Sequence, residues 1–278
     1  MSEHSLDFIV SCMATSTLYK EIQKVQTEHR LKLVEFWGIK EGERVLEIGC
    51  GQGDTTAVLA YIVGEKGQVH GVDLASPNYG APITLGDSMK HLQKSQLGKQ
   101  LKVDFAFDIL SANFKKEEFD AIVISHCSWY MSSSDVLINI LKKVRPWGKK
   151  LCFAEWDTKV EQAEQVPHFL AALIQAQYEC FKEVSNCNIR TLFSPKDIEH
   201  AFTEGGWKVM DKFSIYSPSL QDAEWEIQQT LHAFEREMVS VEIPRKMSSL
   251  LRTELSLLEE AVKDRKIKPL NVFALVGV

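Results

Sequence analysis

The chain has 278 residues, of which 45% are apolar and 25% charged, with a net charge of −6. This length accommodates one large α/β domain with insertions, and the composition is that of a folded globular protein. The acidic balance argues against a broad nucleic-acid-binding face, and no run approaches the roughly 18 apolar residues of a membrane span. The N-terminal MSEHSLDFIV has an early acid and no basic lead before its short apolar run, so it does not read as a secretory signal. Cysteines 12, 50, 127, 152, 180 and 187 contain no C-x-x-C pair, and several lie in apolar strand-like runs. A cytoplasmic protein is expected, with no disulfide framework, no metal site and no membrane span.

In chain order, Leu18, Ile22, Val25, Leu33 and Phe36 recur at helical spacing and predict a helix over 17–37, within a helical segment spanning residues 1–40. Gly38 ends that helix, and Glu41-Gly42 makes a turn. Strand and helix signals then alternate. The predicted strands are 45–48, 68–72, 102–107, 121–125 and 150–154, and the predicted helices are 55–63, 87–97 and 135–144. The last of these has serines 132–134 and Asp135 as caps, an apolar stripe of Leu137, Ile140, Leu141 and Val144, and Pro146 and Gly148 beyond its end. Such alternation predicts a parallel sheet with helices on both faces.

The second half is more helical. Residues 159–185 read as helix, and Ser194-Pro195 opens another that Gly205-Gly206 closes. A strand at 207–216, helices at 220–240 and 245–265, and a last strand at 272–276 complete the chain. Met247, Leu251, Leu255, Leu258 and Val262 form a near-heptad stripe, which is read as core packing ahead of a dimer seam. With no linker or repeat, residues 1–278 are expected to form one domain, monomeric or homodimeric.

The informative segment is Val45-Leu46-Glu47-Ile48-Gly49-Cys50-Gly51-Gln52-Gly53-Asp54. An apolar strand runs into three glycines at alternate positions and then directly into a helix. Glycine permits the sharp turn and the close approach of a ligand, and the helix presents free N–H groups. Asp73, 20 residues after Gly53, closes the next strand and is placed to accept hydrogen bonds from the ribose hydroxyls of an adenosine ligand. The dinucleotide pattern G-x-G-x-x-G needs its third glycine at position 54, where this chain has Asp54, a carboxylate that repels a pyrophosphate. With Glu47 just before the turn, the acids suit a ligand carrying a sulfonium and an amino group, which is S-adenosylmethionine.

These residues, E-I-G-C-G-Q-G with Asp73, resemble the first motif and acidic strand end of class I S-adenosylmethionine-dependent methyltransferases. The resemblance extends over residues 30–155 and the final strand pair. It implies a Rossmann-like, seven-stranded, mostly parallel sheet with an antiparallel last strand, and a cofactor whose methionine part lies against Gly49, Cys50, Gly51 and Gly53. It further implies that Glu47 helps fix that region, that Asp73 takes the ribose and Leu74 lies against the adenine. Asp108 and Ile109 would sit at the adenine amino group, and Ser125 and His126 at the methionine portion. The 159–190 and 218–268 segments exceed the usual family connections and follow strands ending on the ligand side, so a helical cap over the site is expected. The Trp129-Tyr130 pair after the fourth strand is similar to that of small-molecule and cyclopropane-synthase-like members.

Methyl transfer is an in-line displacement, and a base is needed only for a protonated acceptor. His126 and Tyr130 are the candidate catalytic residues, with His29, Glu155 and Asp157 nearby in the expected pocket and His168 and Tyr178 in the cap. The partner is expected to be a small-molecule acceptor and not nucleic acid. Three other readings stay open on the residues alone: a protein that binds the cofactor without turnover, a nicotinamide-dependent oxidoreductase, and a nucleic-acid or protein methylase, which would need a basic cluster such as Lys142, Lys143, Arg145, Lys149 and Lys150 at the pocket mouth.

Overall fold

The computed structural model describes residues 3–15, 19–183, 185, 187–240, 242–263 and 266–278. Two helices, α1 (Glu3–Cys12) and α2 (Lys20–Phe36), precede the sheet. The alternating region follows as β1 (Arg44–Ile48), α3 (Asp54–Val63), β2 (Gln68–Val72), α4 (Leu85–Lys94), β3 (Leu101–Asp104), β4 (Phe119–Ser125), α5 (Ser134–Val144) and β5 (Gly148–Trp156). Then come α6 (Val166–Glu179), α7 (Pro195–Glu204), β6 (Val209–Ile215), α8 (Asp222–Val239), α9 (Arg245–Lys263) and β7 (Val272–Gly277).

The expected elements all form, with boundaries that local chemistry adjusts. Helix α4 starts earlier than its apolar pattern because the Thr84 hydroxyl accepts from the Asp87 backbone N–H and caps it. Strand β3 stops at Asp104 and not at 107, since Ala106 takes φ of 51° and turns the chain out of the extended region. The helix expected over 159–185 is confined to Val166–Glu179, opened by Pro167 after a single 3-10 turn. Residues 17–18, 184 and 264–265 of the expected helices lie outside the described residues.

The seven strands form one sheet in the order β3-β2-β1-β4-β5-β7-β6. Strands β1 to β5 pair in parallel, and β7 runs antiparallel to both β5 and β6. Parallel strands covered on both faces must be apolar along their length, and Val45, Leu46, Val69, Ala121–Ile124 and Leu151–Ala154 are all fully buried. Right-handed crossovers place α3 and α4 on one face and α5 and α7 on the other. The chain order reverses between β1 and β4, which opens a crevice at the carboxyl ends of those strands, where ligands of such sheets bind.

Helices α6, α8 and α9 build a second core of Ala171, Ile174, Tyr178, Ile227, Phe234, Met238, Leu251 and Leu258. The stripe on α9 therefore packs inside this layer: Leu251 and Leu258 are buried, with Met247, Leu255 and Val262 half-buried around them. Each fully buried side chain of this kind contributes roughly 1.5–3 kcal/mol. The layer is the expected cap: α6 leaves the carboxyl end of β5, and α8 leaves that of β6. No helix among the described residues is long and apolar enough to cross a membrane.

Candidate functional site

The glycine turn is fixed at both ends by the sheet. Gly49 and Cys50 donate their backbone N–H groups to the Val72 carbonyl at 2.8 and 3.2 Å, which holds the end of β1 against the end of β2. Gly49 has φ of 78°, and a Cβ there would meet Cys127 Sγ at 2.7 Å, so only glycine admits the loop that follows β4. Gly51 also has a positive φ, of 52°, but a Cβ on it would meet nothing within 4 Å. Its bare face looks onto open space, as the floor of a ligand site should. Asp73 reaches across the turn: its carboxylate accepts from the Gly51 N–H at 2.9 Å and from the Ala75 N–H at 2.8 Å. Two N–H donors leave lone pairs free for further hydroxyl donors.

Glu47 lies beneath the turn and is only 2% exposed. Its carboxyl accepts from the Thr56 hydroxyl at 2.6 Å and so ties β1 to the first turn of α3. Burial, against that hydrogen bond, pushes its pKa up to about 8. Cys50 is buried too, and burial pushes its thiol well up. Asp54, at the position where a dinucleotide site needs glycine, accepts from Gln23 Nε2 at 2.7 Å. The helix end is thereby already supplied with a carboxylate.

Beyond β2, Leu74 is an apolar side chain left 72% exposed next to Asp73. The ends of β2 and β3 are drawn together by Phe107 N–H donating to the Asp73 carbonyl and Ala106 N–H to that of Ala75. Asp108 follows, exposed, with its carboxylate accepting from Ser111 Oγ at 2.6 Å and the Leu110 N–H at 2.9 Å. Those hydrogen bonds, the Ser111 one foremost, hold its pKa below the usual carboxylate range. Its present work is to cap a local turn, with Ile109 buried behind it.

At the end of β4, His126 takes the left-handed conformation, φ of 51°, which is strained for a residue with a Cβ. Its ring is buried between Trp156 and His29, with centroids at 5.1 and 5.3 Å. His126 Nε2 lies 3.1 Å from His29 Nε2, and His29 Nδ1 lies 3.0 Å from Ser217 Oγ. A shared proton therefore orders both tautomers along a Ser217–His29–His126 chain. Burial, then the Arg30 charge, holds both imidazoles well below the usual histidine range, so both are neutral at pH 7.

Glu155, 2% exposed, gathers the loop after β4: Ser128 N–H and Oγ donate at 3.0 and 2.7 Å, and Trp129 and Trp156 N–H also donate. This fixes Trp129 in the core and turns Tyr130, 42% exposed, toward the cap. Loss of hydration at its hydroxyl, then the carboxyls of Glu226 and Glu155, raises the Tyr130 phenol pKa. Tyr130 thus borders the space between Asp222 and Glu226 of α8, Glu155 of β5 and the loop bearing Tyr79. Ser125, the last residue of β4, has a buried hydroxyl without a hydrogen-bond partner among the described residues.

The strand-end residues are brought together as the sequence suggests, but the α2 and α8 side of the site is not visible in any motif. Gln26, His29 and Arg30 are polar residues on the buried face of α2. Arg30 Nη1 donates to Gln26 Oε1 at 2.8 Å, and Gln26 Nε2 donates to Asp222 Oδ2 at 2.6 Å. A polar pair four apart on an otherwise buried helix face was the one available signal. His168 and Tyr178 stand apart from this space, in the joint and core of the cap. Asp157 accepts from the Lys159 N–H just past β5.

This strand order, with an antiparallel seventh strand and a glycine turn facing an acidic strand end, defines a class I S-adenosylmethionine-dependent methyltransferase fold. Residues 21–212 match the family described as methyltransferase domain, to which the chain belongs. The chain is 32% identical to a cyclopropane-fatty-acyl-phospholipid synthase-like protein from Lactobacillus casei, covering 100% of both chains with a TM-score of 0.89. It is 27% identical over 158 residues to the methyltransferase phomM' of Diaporthe leptostromiformis, covering 48% of this chain and 40% of that protein. A 2-phytyl-1,4-naphtoquinone methyltransferase from Synechococcus elongatus is 34% identical over 102 residues, 35% of this chain and 40% of that protein. The chain therefore spans about two-fifths of the length of these curated relatives.

Proposed function

We propose that the protein transfers the methyl group of S-adenosylmethionine to a small-molecule acceptor held beneath the cap, releasing S-adenosylhomocysteine. The observation that carries this reading is the open face of Gly51, whose N–H donates to the Asp73 carboxylate at 2.9 Å, with Asp54 where a pyrophosphate would need glycine. When bound, the cofactor supplies a methyl carbon activated by its sulfonium. The chain supplies position: Gly49, Cys50, Gly51 and Gly53 cradle the methionine part over Glu47, Asp73 takes the ribose, and Leu74, Asp108 and Ile109 border the adenine. Ser125 and His126 complete the methionine side. Holding donor and acceptor in line is worth about 7–11 kcal/mol of the barrier.

Two groups can serve an acceptor that arrives protonated. His126, kept neutral by burial, is able to take a proton and pass it toward His29. Tyr130, kept protonated, is able to donate a hydrogen bond to the acceptor beneath the cap. A groove of about 810 Å³ bordered by Tyr79, Lys182, Asn188 and Gln229 reaches the same loop and offers an entry side.

Calorimetric titration with S-adenosylhomocysteine tests the cofactor reading. Saturable binding is expected, weakened at least tenfold by Asp73→Asn. No detectable heat from the wild-type protein at millimolar ligand would overturn it.

A further inference from the structure

Among the described residues the buried charge of Arg30 has no carboxylate in direct contact; the one joined to it, Asp222, is reached through Gln26. The residue is 8% exposed, yet among the described residues no carboxylate lies within ion-pair distance of it. A guanidinium offers five N–H donors. One is used, on Gln26 Oε1, and the buried Nε has no partner. Removing a cation from water without an anion is strongly unfavourable, so an unpaired buried arginine marks a place where an anion is to be received.

The surroundings say which anion. His29, the residue next to Arg30, touches His126 at the end of β4, and two turns before Arg30 Gln23 holds Asp54 at the start of α3. This face of α2 thus looks onto the glycine turn and the β4 end, and the Arg30 charge is felt by Glu47, His126 and Asp222 alike. Asp54 and Asp222, at the starts of the two neighbouring helices, disfavour a phosphate dianion. A carboxylate accompanied by an ammonium suits them, because the acids face the ammonium while the planar fork of Arg30 takes the carboxylate with two parallel hydrogen bonds.

We infer that Arg30 is the receptor for the carboxylate at the amino-acid end of the cofactor, and that Gln26 couples this contact to the cap. The inference rests on the proposed cofactor. The Gln26 side chain is fixed at both ends, its oxygen on Arg30 and its nitrogen on Asp222 in the first turn of α8. An anion that fixes the guanidinium also fixes the amide, and through it the start of the helix that borders the space for the acceptor. The acid end of the methyl donor and the closed position of the cap are linked through three side chains.

Three ligands separate the parts: S-adenosylhomocysteine, decarboxylated S-adenosylmethionine, and 5′-methylthioadenosine, which lacks the whole amino-acid arm. Arg30→Met is expected to weaken S-adenosylhomocysteine by ten- to a hundredfold while changing the other two less than threefold. Binding of 5′-methylthioadenosine also reports that the variant is folded, and Arg30→Lys should restore part of the loss. Hydrogen exchange in residues 222–228 should slow with S-adenosylhomocysteine and not with 5′-methylthioadenosine, and Gln26→Leu should abolish that difference. Equal effects of Arg30→Met on all three ligands would overturn the assignment, as would no effect on any, the result expected if Arg30 served an acid on the acceptor. Wild-type protein that binds none of the three would instead remove the cofactor reading, and this inference with it.

Discussion

Glu47 shows most directly how this site sets function against stability. Its carboxyl is buried against the Thr56 hydroxyl, and burial raises its pKa from 4.5 to about 8. The folded protein thus keeps a proton that the unfolded chain gives up above pH 4.5. The contribution of Glu47 to stability is complete below 4.5 and is lost as pH rises through about 8. Glu47→Gln keeps an acceptor for Thr56 and carries no such loss. It is expected to raise stability at pH 7 by roughly 2–3 kcal/mol and to leave it unchanged near pH 4.5, as read by urea denaturation at the two pH values. If the acid serves the cofactor as proposed, the same variant binds S-adenosylhomocysteine more weakly. Stability gained with affinity lost is the signature of a residue kept for function.

At the scale of elements, the sheet was legible and the cap only partly so. Strands such as 45–48 and 121–125 read plainly because parallel strands covered on both faces are unbroken apolar runs. The turn at Gly49–Gly53 was legible because only a close approach of backbone to ligand explains three alternate glycines beside Asp73. The pairing of Gln26 with Asp222 was not, since the two lie 196 positions apart and nothing local to α2 or α8 announces the partner. The same blindness hid what holds the cap together. Lys182, with its side chain 10% exposed, sits between the carboxylates of Glu179 and Glu237, and its Nζ is 3.7 Å from Cys187 Sγ. These three side chains cluster closely enough to ligate a cation, and the lysine ammonium already provides the positive charge. It closes the end of α6 onto α8. Lys182→Met leaves the buried Glu179 carboxylate without its counter-ion and facing Glu237, which keeps only Arg236, and is expected to cost about 3–5 kcal/mol. Restoration by Glu237→Gln in the double variant, measured by chemical denaturation, would show that the charge and not the packing is responsible.

The whole molecule has two cores, one around the sheet and one within the cap, and its cooperative unfolding depends on the joint between them. That joint is built where α6 meets the start of β7. Gln165 Nε2 donates to the Pro269 carbonyl and to Asn271 Oδ1 at 3.0 and 2.9 Å, and the Leu270 N–H donates to His168 Nδ1 at 3.0 Å. The His168 ring packs edge-on against Trp156 with centroids 5.1 Å apart. For Nδ1 to accept, the imidazole must be neutral, and burial lowers its pKa from 6.5 to about 3. Below pH 6.5 the unfolded chain therefore takes up a proton that the native protein refuses, and stability falls as pH drops from 6.5 toward 3. His29 and His126, shifted in the same direction, add to the slope. Between pH 6.5 and 5 the His168 share is about 2 kcal/mol, at ~1.4 kcal/mol per pH unit. His168→Gln keeps an acceptor for Leu270 and removes this share. Its stability at pH 7 should lie below that of the wild type through imperfect packing, while its loss on going to pH 5 should be smaller by that amount. Urea denaturation at both pH values, followed by tryptophan fluorescence, gives the two slopes. Equal slopes would mean that His168 ionises within the folded joint, and that cap and sheet are fastened by the Gln165 contacts alone.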